Sequence, residues 1–532
     1  MRSNLYSVTF WATVVAIICV FLSLFALQVQ KNPLRWDEVD YFQCMENVIR
    51  LGLPIYYAGE VKIDPHLLVY LSSRQLGGQE FVFYRFKPET GILKETFFAI
   101  VGDTSRYTYG MWHPPLYIYL GSVFLRLVPL APENSHLLRY FNLVFSIGIF
   151  IGMLCLSREI YPSLYKPIFL FALLFYALNP LAVRGSVLVD YNATLGPGVA
   201  IWFVITYLYG VRKNSWWGLI LSTIVMLFTS LGIATSLLLA IGLHSVLSLL
   251  LDRRQKIGQA IGAIIIGIIF FVLFFYAFCR LFQLPFSQPF LHNFARAKSN
   301  KGFLSYRQIP IILDYLKWYT YEIGLPVMSI FACLLLRPIL SKYHPQRFLL
   351  PTVIIVGLIS HAALKANAYW FPKYILFLLP LLFVYIAGEG LTLLVTTSKS
   401  WKILFGAIAL LLVITCAVHS LHWIQHPGGT LYDKGQEGII AIAEALKATT
   451  TSDEVVLCPK DVGFFAGRKF IQLFGAYLTE VNLVATRIQE TNARFVVAPR
   501  DLLNTNTEMG KFLHNEFTLE YETGSFVLLR KR

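Results

Sequence analysis

The sequence contains few charged residues. Asp, Glu, Lys and Arg make up 14% of its 532 residues, whereas a soluble domain carries about 25%. Hydrophobic residues reach 56%, and the mean hydropathy is +0.60. The scarcity of charge excludes a water-soluble protein, and the hydrophobic content excludes a disordered one. The chain is predicted to be a polytopic α-helical membrane protein.

Cysteine is also scarce, with seven residues. Most of them lie in apolar runs and are expected to pack as small core residues. Cys44 and Cys458 lie in polar regions, where thiols are expected rather than a disulfide. The low count excludes a disulfide framework, and the lack of a C-x-x-C or Cys/His spacing gives no support for a structural zinc site.

Motifs for nucleotides and nucleic acids are missing. The sequence has no G-x-x-x-x-G-K-[ST] loop and no basic segment with interleaved aromatic residues. The net charge of +15 comes largely from short Lys and Arg clusters between apolar runs, which is typical of cytoplasmic loops. We therefore expect membrane lipids, and no nucleic acid, as partners of this charge.

Long apolar runs recur, most of them with the roughly 17–25 residues that a membrane span requires. The first, Val8–Leu27, lacks a small-residue cleavage site after it, so we interpret it as an uncleaved transmembrane helix. Residues 216–251 are divided into two spans near Thr229, because one helix of that length would overshoot the bilayer. About eleven spans result. After the first they are Arg139–Leu156, Pro167–Gly185, Leu195–Tyr209, Trp216–Gly232, Ile233–Leu251, Ile257–Cys279, Tyr319–Leu336, Leu349–Leu364, Tyr374–Val395 and Ile403–Trp423.

Charge placement predicts the orientation. With a cytoplasmic N-terminus, every inside loop is short and basic, and the C-terminus is extracytoplasmic. The predicted organisation in the cell membrane is a multi-pass transmembrane domain, residues 1–424, followed by a small extracytoplasmic α/β domain, residues 425–532. The first domain includes a long extracytoplasmic loop, residues 28–138.

Several elements are predicted outside the membrane. In the first loop, Asp37–Leu51 has the spacing of an amphipathic surface helix, Phe81–Phe86 is typical of a strand, and Pro114–Leu130 of a surface or re-entrant helix. In the tail, the pattern indicates a helix at Gly435–Ala448 and strands at Glu454–Leu457, Arg494–Ala498 and Phe526–Leu529.

Three carboxylates, Asp37, Glu38 and Asp40, open the predicted surface helix. Acidic residues at a helix N-terminus stabilise the helix dipole, and this explanation suffices for them. Alternatively, a carboxylate above an apolar cavity acts as a general base, a role that partial burial favours by raising its pKa.

Other candidates lie at the outer ends of later spans. Asp190 is an ionisable residue at membrane depth, which is either functional or interfacial. Lys373 and Tyr374 either belong to an aromatic belt with an anchoring lysine or hold a lipid-linked phosphate. His113, before a Pro-Pro helix start, is an ordinary interfacial residue if taken alone.

In this order the features resemble a known family. The chain looks like a GT-C class glycosyltransferase of family 39, the dolichyl- or polyprenyl-phosphate-mannose protein mannosyltransferases, and is similar to bacterial lipid A aminoarabinose transferases. The resemblance covers nearly the whole chain and implies a GT-C-like transmembrane domain. It rests on Asp37-Glu38, Gly52-Leu53-Pro54-Ile55-Tyr56-Tyr57, Pro114-Pro115-Leu116-Tyr117, Asp190, Pro372-Lys373-Tyr374 and the tail stretch Asp453–Gly467.

The resemblance implies an inverting hexosyl- or pentosyltransferase. It would move a sugar from a polyprenyl-phosphate donor to a protein, lipid or glycan on the extracytoplasmic side. Asp37 would be the catalytic base, Glu38 its neighbour and Asp190 a second acidic contact to sugar or acceptor. Some GT-C enzymes use a divalent metal ion and others do not, and no ligand cluster in the sequence decides between them. The substrate-binding candidates are His113, Tyr57, Arg184, Lys373 and Tyr374.

Two features depart from the family pattern. The insert at 58–112 is longer than the usual spacing and is expected to recognise the acceptor. Lys373 replaces the usual arginine, so a bidentate grip on phosphate is lost. A secondary transporter or lipid flippase is the alternative, and it predicts internal repeats and broken helices. The transferase hypothesis predicts instead that Asp37 and Asp190 meet a cation in a pocket open to lipid.

Overall fold

The structure is a computed structural model. It describes residues 2–31, 34, 37–52, 54–57, 68–76, 79–86, 96–100, 106–109, 114–213, 215–251, 257–281, 286, 323–335, 345–365, 372–396, 438–451, 454–472 and 493–532, with isolated positions between 310 and 320, 403 and 418, and 481 and 488.

The chain is mostly helical, with two sheets. In chain order the helices are α1 (Arg2–Lys31), α2 (Asp37–Leu51), α3 (Leu116–Leu127), α4 (Asn142–Ile160), α5 (Tyr165–Leu178), α6 (Pro180–Val187), α7 (Leu195–Lys213), α8 (Trp216–Thr229), α9 (Leu231–Leu251), α10 (Ile257–Leu281), α11 (Leu325–Leu335), α12 (Pro345–Lys365), α13 (Leu379–Thr396), α14 (Ile439–Thr449), α15 (Lys460–Ala466) and α16 (Glu508–Glu516). The 3₁₀ helices are Pro132–Phe141, Pro372–Leu378 and Arg500–Leu503. The strands are β1 (Ile55–Tyr57), β2 (Leu68–Leu76), β3 (Gln79–Phe86), β4 (Thr96–Ile100), β5 (Arg106–Tyr109), β6 (Val455–Cys458), β7 (Lys469–Gln472), β8 (Phe495–Pro499), β9 (Phe517–Glu522) and β10 (Phe526–Lys531).

These elements form two compact units. The first comprises Met1–Lys31, Trp112–Tyr117 and Arg139–Pro427. The second comprises Asn32–Met111, Ile118–Leu138 and Gly428–Arg532. The division of the chain into domains at residue 424 stays a prediction.

The membrane-spanning character is confirmed by six described helical segments that are long and apolar enough to cross a bilayer. A seventh is counted if α5 and α6 together form one span. Three other predicted spans are shorter apolar helices, Trp216–Thr229, Leu325–Leu335 and Phe348–Ser360. Of the predicted span Ile403–Trp423, only isolated positions are described.

The six long segments are Ser7–Val29, Glu133–Ile160, Leu195–Lys213, Leu231–Leu250, Ile257–Leu281 and Lys373–Thr396. Their surfaces are typical of contact with lipid. In α10, Ile265, Ile269 and Leu273 remain 51%, 52% and 56% exposed. An apolar face of this extent is unfavourable in water, whereas hydrocarbon covers it without cost.

The predicted span Pro167–Gly185 is broken into two helices. α5 ends at Leu178, and α6 follows with a bend of 68°. Asn179 caps α6 because its side-chain oxygen accepts a hydrogen bond from the backbone N–H of Ala182 at 3.1 Å. Pro180 opens α6 at a position where no helical N–H is needed. The chain therefore restarts a short helix that leads directly to Asp190.

In the second unit, α2 is the amphipathic helix that the sequence predicts. Phe42 and Met45 on one face are fully buried. Gly52, with a φ of 76°, ends the helix in a conformation that favours glycine. α3 packs against this face, since a Cβ atom on Gly121 would overlap Met45. The Tyr119 hydroxyl also donates a hydrogen bond to the Gly52 carbonyl at 2.7 Å.

Four of the described strands, β2 to β5, lie within the predicted insert at 58–112, and β1 directly precedes it. Together they form one antiparallel sheet in the order β1-β5-β4-β3-β2. The strand predicted at Phe81–Phe86 lies within β3. The tail forms a second sheet, in the order β7-β6-β8-β10-β9, with β6 parallel to β7 and β8. The helix and three strands predicted there correspond to α14, β6, β8 and β10, which confirms an α/β fold.

Helices cover both faces of the tail sheet. Alternate residues of a strand point to opposite faces, so neighbouring residues of β8 pack in different clusters. Phe495 of β8 packs in one cluster with Ile442 of α14. Its neighbour Val496 packs in the other cluster with Met509 and Leu513 of α16. Both clusters are buried, so the tail has a core of its own.

Gly510 in α16 provides a test of this packing. A Cβ atom there would overlap the backbone carbonyl of Asn504, which cannot move as a side chain would. Gly510→Ala should therefore lower the free energy of unfolding by about 1–2 kcal/mol, despite the better helix propensity of alanine. Thermal unfolding of the full-length protein in detergent, monitored through the protease resistance of the tail, measures this loss. Gly524→Ala, with no atom near the added Cβ, is the matched control, and equal stability of the two variants would contradict the packing.

Candidate active site

Asp190 lies in a buried turn between α6 and α7. Its side chain is 2% exposed. One carboxylate oxygen, Oδ1, accepts hydrogen bonds from the backbone N–H of Asn192 at 2.7 Å and from the Asn192 side-chain amide at 3.1 Å. A carboxylate bonded to the N–H two residues ahead forms an Asx-turn, which fixes the local backbone. The turn therefore sets the direction of the Asp190 carboxylate.

Asn142, the first residue of α4, holds the turn on both sides. Its amide nitrogen donates to the carbonyl of Leu188 at 2.6 Å. Its amide oxygen accepts from the hydroxyls of Thr194 at 3.1 Å and Tyr117 at 2.9 Å. Asn142 is fully buried. Because a buried amide without partners is costly, this set of bonds ties the Asp190 turn to α4 and to Tyr117.

Lys373 meets Asp190 across 183 residues of sequence. It is the second residue of the 3₁₀ helix that begins at Pro372, and its side chain is 3% exposed. The ammonium Nζ donates to Asp190 Oδ2 at 2.7 Å and lies 5.5 Å from the centre of the Tyr374 ring. Burying two charges is costly unless they pair with good geometry. Both oxygens of Asp190 are thus engaged, one with the Asn192 amides and one with the ammonium.

The acidic residues of α2 lie in the second unit. Glu38 is fully buried, whereas Asp37 and Asp40 are half-buried. Residues three apart on a helix share a face, so Asp37 and Asp40 lie side by side. Three acidic residues in the first turn also favour the positive end of the helix dipole.

A lysine from the tail enters this acidic cluster. Lys460, the first residue of α15, donates to Asp40 Oδ2 at 2.5 Å, and the two side chains are 12% and 21% exposed. Burial raises the pKa of Asp40 to about 7 against the lowering effect of Lys460, with further raising by Asp37 and Asp461. Burial lowers the pKa of Lys460, but Asp40, Asp37 and Asp461 outweigh it, so that pKa is raised and the ammonium stays charged.

Of the predicted site residues, the structure brings Asp190, Lys373 and Tyr374 together and places Asp37 beside Glu38. Arg184 is half-buried near the end of α6, which leads to the Asp190 turn. The predicted meeting of Asp37 with Asp190 stays a prediction because they belong to different units. The backbone of Tyr57 pairs with Tyr107 in the insert sheet, and His113 lies outside the described residues.

Sequence reasoning did not single out Asn142, Asn192 or Lys460. Asn142 had a signal, since it is an amide at the start of an otherwise apolar run. Asn192 follows Asp190 at the spacing of an Asx-turn. Lys460 carried no local signal, because its partner Asp40 lies 420 residues away.

Two further features bear on cofactors and redox chemistry. Within the described ranges, no group of three or more His, Cys, Asp or Glu side chains is placed to hold a metal ion. Cys44 and Cys458 are both buried, and no disulfide joins them.

The fold is similar to that of a solved GT-C structure, which confirms the predicted GT-C-like fold. Two crystal structures of ArnT from Cupriavidus metallidurans are similar to it. The structure bound to undecaprenyl phosphate has a TM-score of 0.58 and 12% identity, covering 97% of both chains. The apo structure has a TM-score of 0.55 and 13% identity, covering 99% of this chain and 98% of that one. No protein-family model and no curated protein matches the sequence.

The buried ion pair predicts that the loss of one partner destabilises the protein more than the loss of both. Asp190→Asn or Lys373→Met alone should destabilise the protein by about 3–5 kcal/mol, because each leaves one buried charge uncompensated. The double variant should recover much of this loss. Thermal unfolding in detergent compares the four proteins.

The exposed pair Arg494–Glu454, at 3.4 Å, provides the control. Glu454→Gln should cost at most about 1 kcal/mol. If Asp190→Asn cost no more than this control, the ion pair would not support the turn.

Proposed function

We propose that the protein is a membrane glycosyltransferase that uses a polyprenyl-phosphate-linked sugar. It transfers the sugar, with inversion, to an acceptor on the extracytoplasmic side of the cell membrane. The donor and the surrounding lipids are its partners, and the acceptor is a protein, lipid or glycan. The observation that carries the proposal is the buried ion pair of Lys373 and Asp190, in a fold shared with an enzyme crystallised with undecaprenyl phosphate.

Lys373 suits a phosphate that leaves as an anion. Its ammonium is fixed in a buried setting, where electrostatic stabilisation of developing charge is stronger than in water. A polyprenyl chain stays in the bilayer, so the group that meets its phosphate has to be presented by the membrane unit, which contains Lys373. Lys373 therefore serves as the cation for the leaving polyprenyl phosphate.

The hydrogen bonds of Asp190 favour an orienting role for this residue. A general base needs a free lone pair aimed at the acceptor proton. The carboxylate of Asp190 already accepts three hydrogen bonds, two from Asn192 and one from Lys373. Asp190 therefore positions Lys373, and contact with the sugar or acceptor is secondary to this role.

Asp37 is the candidate base. It lies in the first turn of α2 and is half-buried, so it is open to an acceptor. In the reaction, Asp37 takes the proton of the acceptor hydroxyl, whose oxygen attacks the anomeric carbon. The bond between that carbon and the phosphate oxygen breaks, and polyprenyl phosphate leaves with the electron pair. Attack opposite to the leaving group inverts the anomeric centre.

The break between α5 and α6 is a feature that a transporter also predicts. A flippase would move the lipid-linked sugar between leaflets without breaking its glycosidic bond. The same reconstituted protein distinguishes the two functions, because only the transferase releases polyprenyl phosphate.

Asp37→Asn tests the transferase and its base. The purified protein in lipid vesicles is incubated with a panel of polyprenyl-phosphate sugars, including mannose and aminoarabinose donors. Hydrolysis of the donor, in which water takes the place of the acceptor hydroxyl, is measured as release of polyprenyl phosphate. We expect turnover by the wild type with at least one donor. Asp37→Asn should lower the rate about 10²–10⁴-fold, the usual contribution of a general base.

Asp501→Asn, which changes an exposed carboxylate of the tail, is the control and should retain the wild-type rate. Full turnover by Asp37→Asn would contradict Asp37 as the base but would not contradict the transferase function. A wild type that moves the donor between leaflets without cleaving it would overturn the transferase itself.

A further inference from the structure

The contact between Lys460 and α2 links the tail to the proposed catalytic helix. Lys460 lies directly after β6 and Pro459, at the start of α15. The folded backbone of the tail domain thus fixes the position of the Cα atom of Lys460. A flexible lysine on a loop would lose side-chain entropy on pairing, whereas here the folded domain has already restricted it.

Apolar contacts hold α15 and α2 together beside the ion pair. Phe42 of α2 and Phe464 of α15 meet edge to face, with ring centres 5.6 Å apart. Phe42 is fully buried and Phe464 is 8% exposed. An aromatic pair in this geometry adds to the stability of a buried contact. The ammonium of Lys460 is therefore held near the carboxylates of α2.

The charges around Lys460 are unbalanced. α2 contributes three acidic residues and α15 contributes one, while the Cys458 thiol of β6 is kept neutral because burial raises its pKa. Among the described side chains of α2, α15 and β6, Lys460 is the cation of this group. The titratable groups in the first turn of α2, in β6 and in α15 are Asp37, Glu38, Asp40, Cys458, Lys460 and Asp461.

Like charges in one place favour protonation, and a nearby cation opposes it. Asp37 is close enough for its charge to raise the pKa of Lys460. By reciprocity, the ammonium favours the ionised form of Asp37, which is the form that accepts a proton. Without Lys460, Asp40 would hold its proton to higher pH, and the neighbouring Asp37 would lose the same support for its ionised form.

We propose that Lys460 is a positioning residue of the transferase, through which the tail domain favours the ionised form of Asp37 for base catalysis. This inference rests on the proposed function. It assigns to the tail domain a direct electrostatic part in the reaction. The donor phosphate and the acceptor need not touch Lys460 for this effect.

The pH dependence of turnover distinguishes this role from a structural one. Lys460→Gln removes the charge but keeps a hydrogen-bond donor for Asp40, and Lys460→Met removes both. In both variants the acid limb of the pH–rate profile should move to higher pH. On the acid limb, the rate relative to wild type should fall by up to about tenfold for each pH unit that the limb moves, whereas on the plateau at higher pH the two rates should agree. Lys460→Arg keeps the charge and should keep the wild-type profile.

The control is Lys447→Met, which changes a lysine of the same domain that is 57% exposed and 4.0 Å from Glu133. It should leave the profile unchanged. Equal loss at every pH in the Lys460 variants, or failure of Lys460→Arg to restore the profile, would assign Lys460 a structural role and overturn the inference.

A second measurement needs no turnover. The pKa of Asp40 is raised from 3.8 to about 7, chiefly by burial, so the folded protein binds a proton that the unfolded chain releases between these values. Its contribution to stability therefore falls as pH rises toward about 7 and is constant above it. Removing the Lys460 charge raises this pKa further, so the melting temperature of Lys460→Gln should keep falling above pH 7.

The two measurements separate the two hypotheses. A wild type that cleaves no donor overturns the transferase and with it the catalytic part for Lys460. An active wild type, combined with melting temperatures of Lys460→Gln and wild type that change in parallel from pH 6 to 9, overturns the inference about Lys460 alone.

Discussion

The first unit depends on one buried ion pair. An ammonium and a carboxylate withdrawn from water each cost several kcal/mol in hydration, and only close, well-directed contacts offset this. The surrounding chain supplies these contacts. The backbone N–H of Asn192 donates to Oδ1 of Asp190, the oxygen that Lys373 does not contact, and Asn142 of α4 fixes the turn. The restart of the helix at Pro180 brings the turn into place. Together these local features hold the ammonium of Lys373 at a fixed position in the apolar first unit.

The second unit follows the same principle with its charges reversed. In the first unit a carboxylate fixes a cation, whereas in the second a cation from the tail steadies the carboxylates of α2. In both cases the partners are distant in sequence, so only the folded chain brings them together. A transferase that separates an anionic leaving group from a proton acceptor needs a fixed cation for the first and an ionised carboxylate for the second.

Much of the fold could be predicted from local patterns. The acidic first turn and the glycine at position 52 define α2, and short apolar runs define β6, β8 and β10 of the tail. Asp190 was found because charge at membrane depth is rare, and Lys373 because it lies in an aromatic segment at the outer end of a span. The transferase hypothesis predicted that Asp190 meets a cation but did not name Lys373 as its partner, since a single sequence holds no record of contacts across 183 residues. The break at Asn179 had a local signal, but the continuous apolar run around it obscured that signal.

The central claim is that Lys373, oriented by Asp190, holds the phosphate of the donor lipid. The most direct test is the affinity of the protein in lipid nanodiscs for undecaprenyl phosphate, measured by native mass spectrometry. The account predicts that Lys373→Met weakens binding at least about tenfold, as loss of a charge-assisted hydrogen bond does, whereas Lys373→Arg retains most of it. Unchanged affinity in a folded Lys373→Met protein would contradict the account.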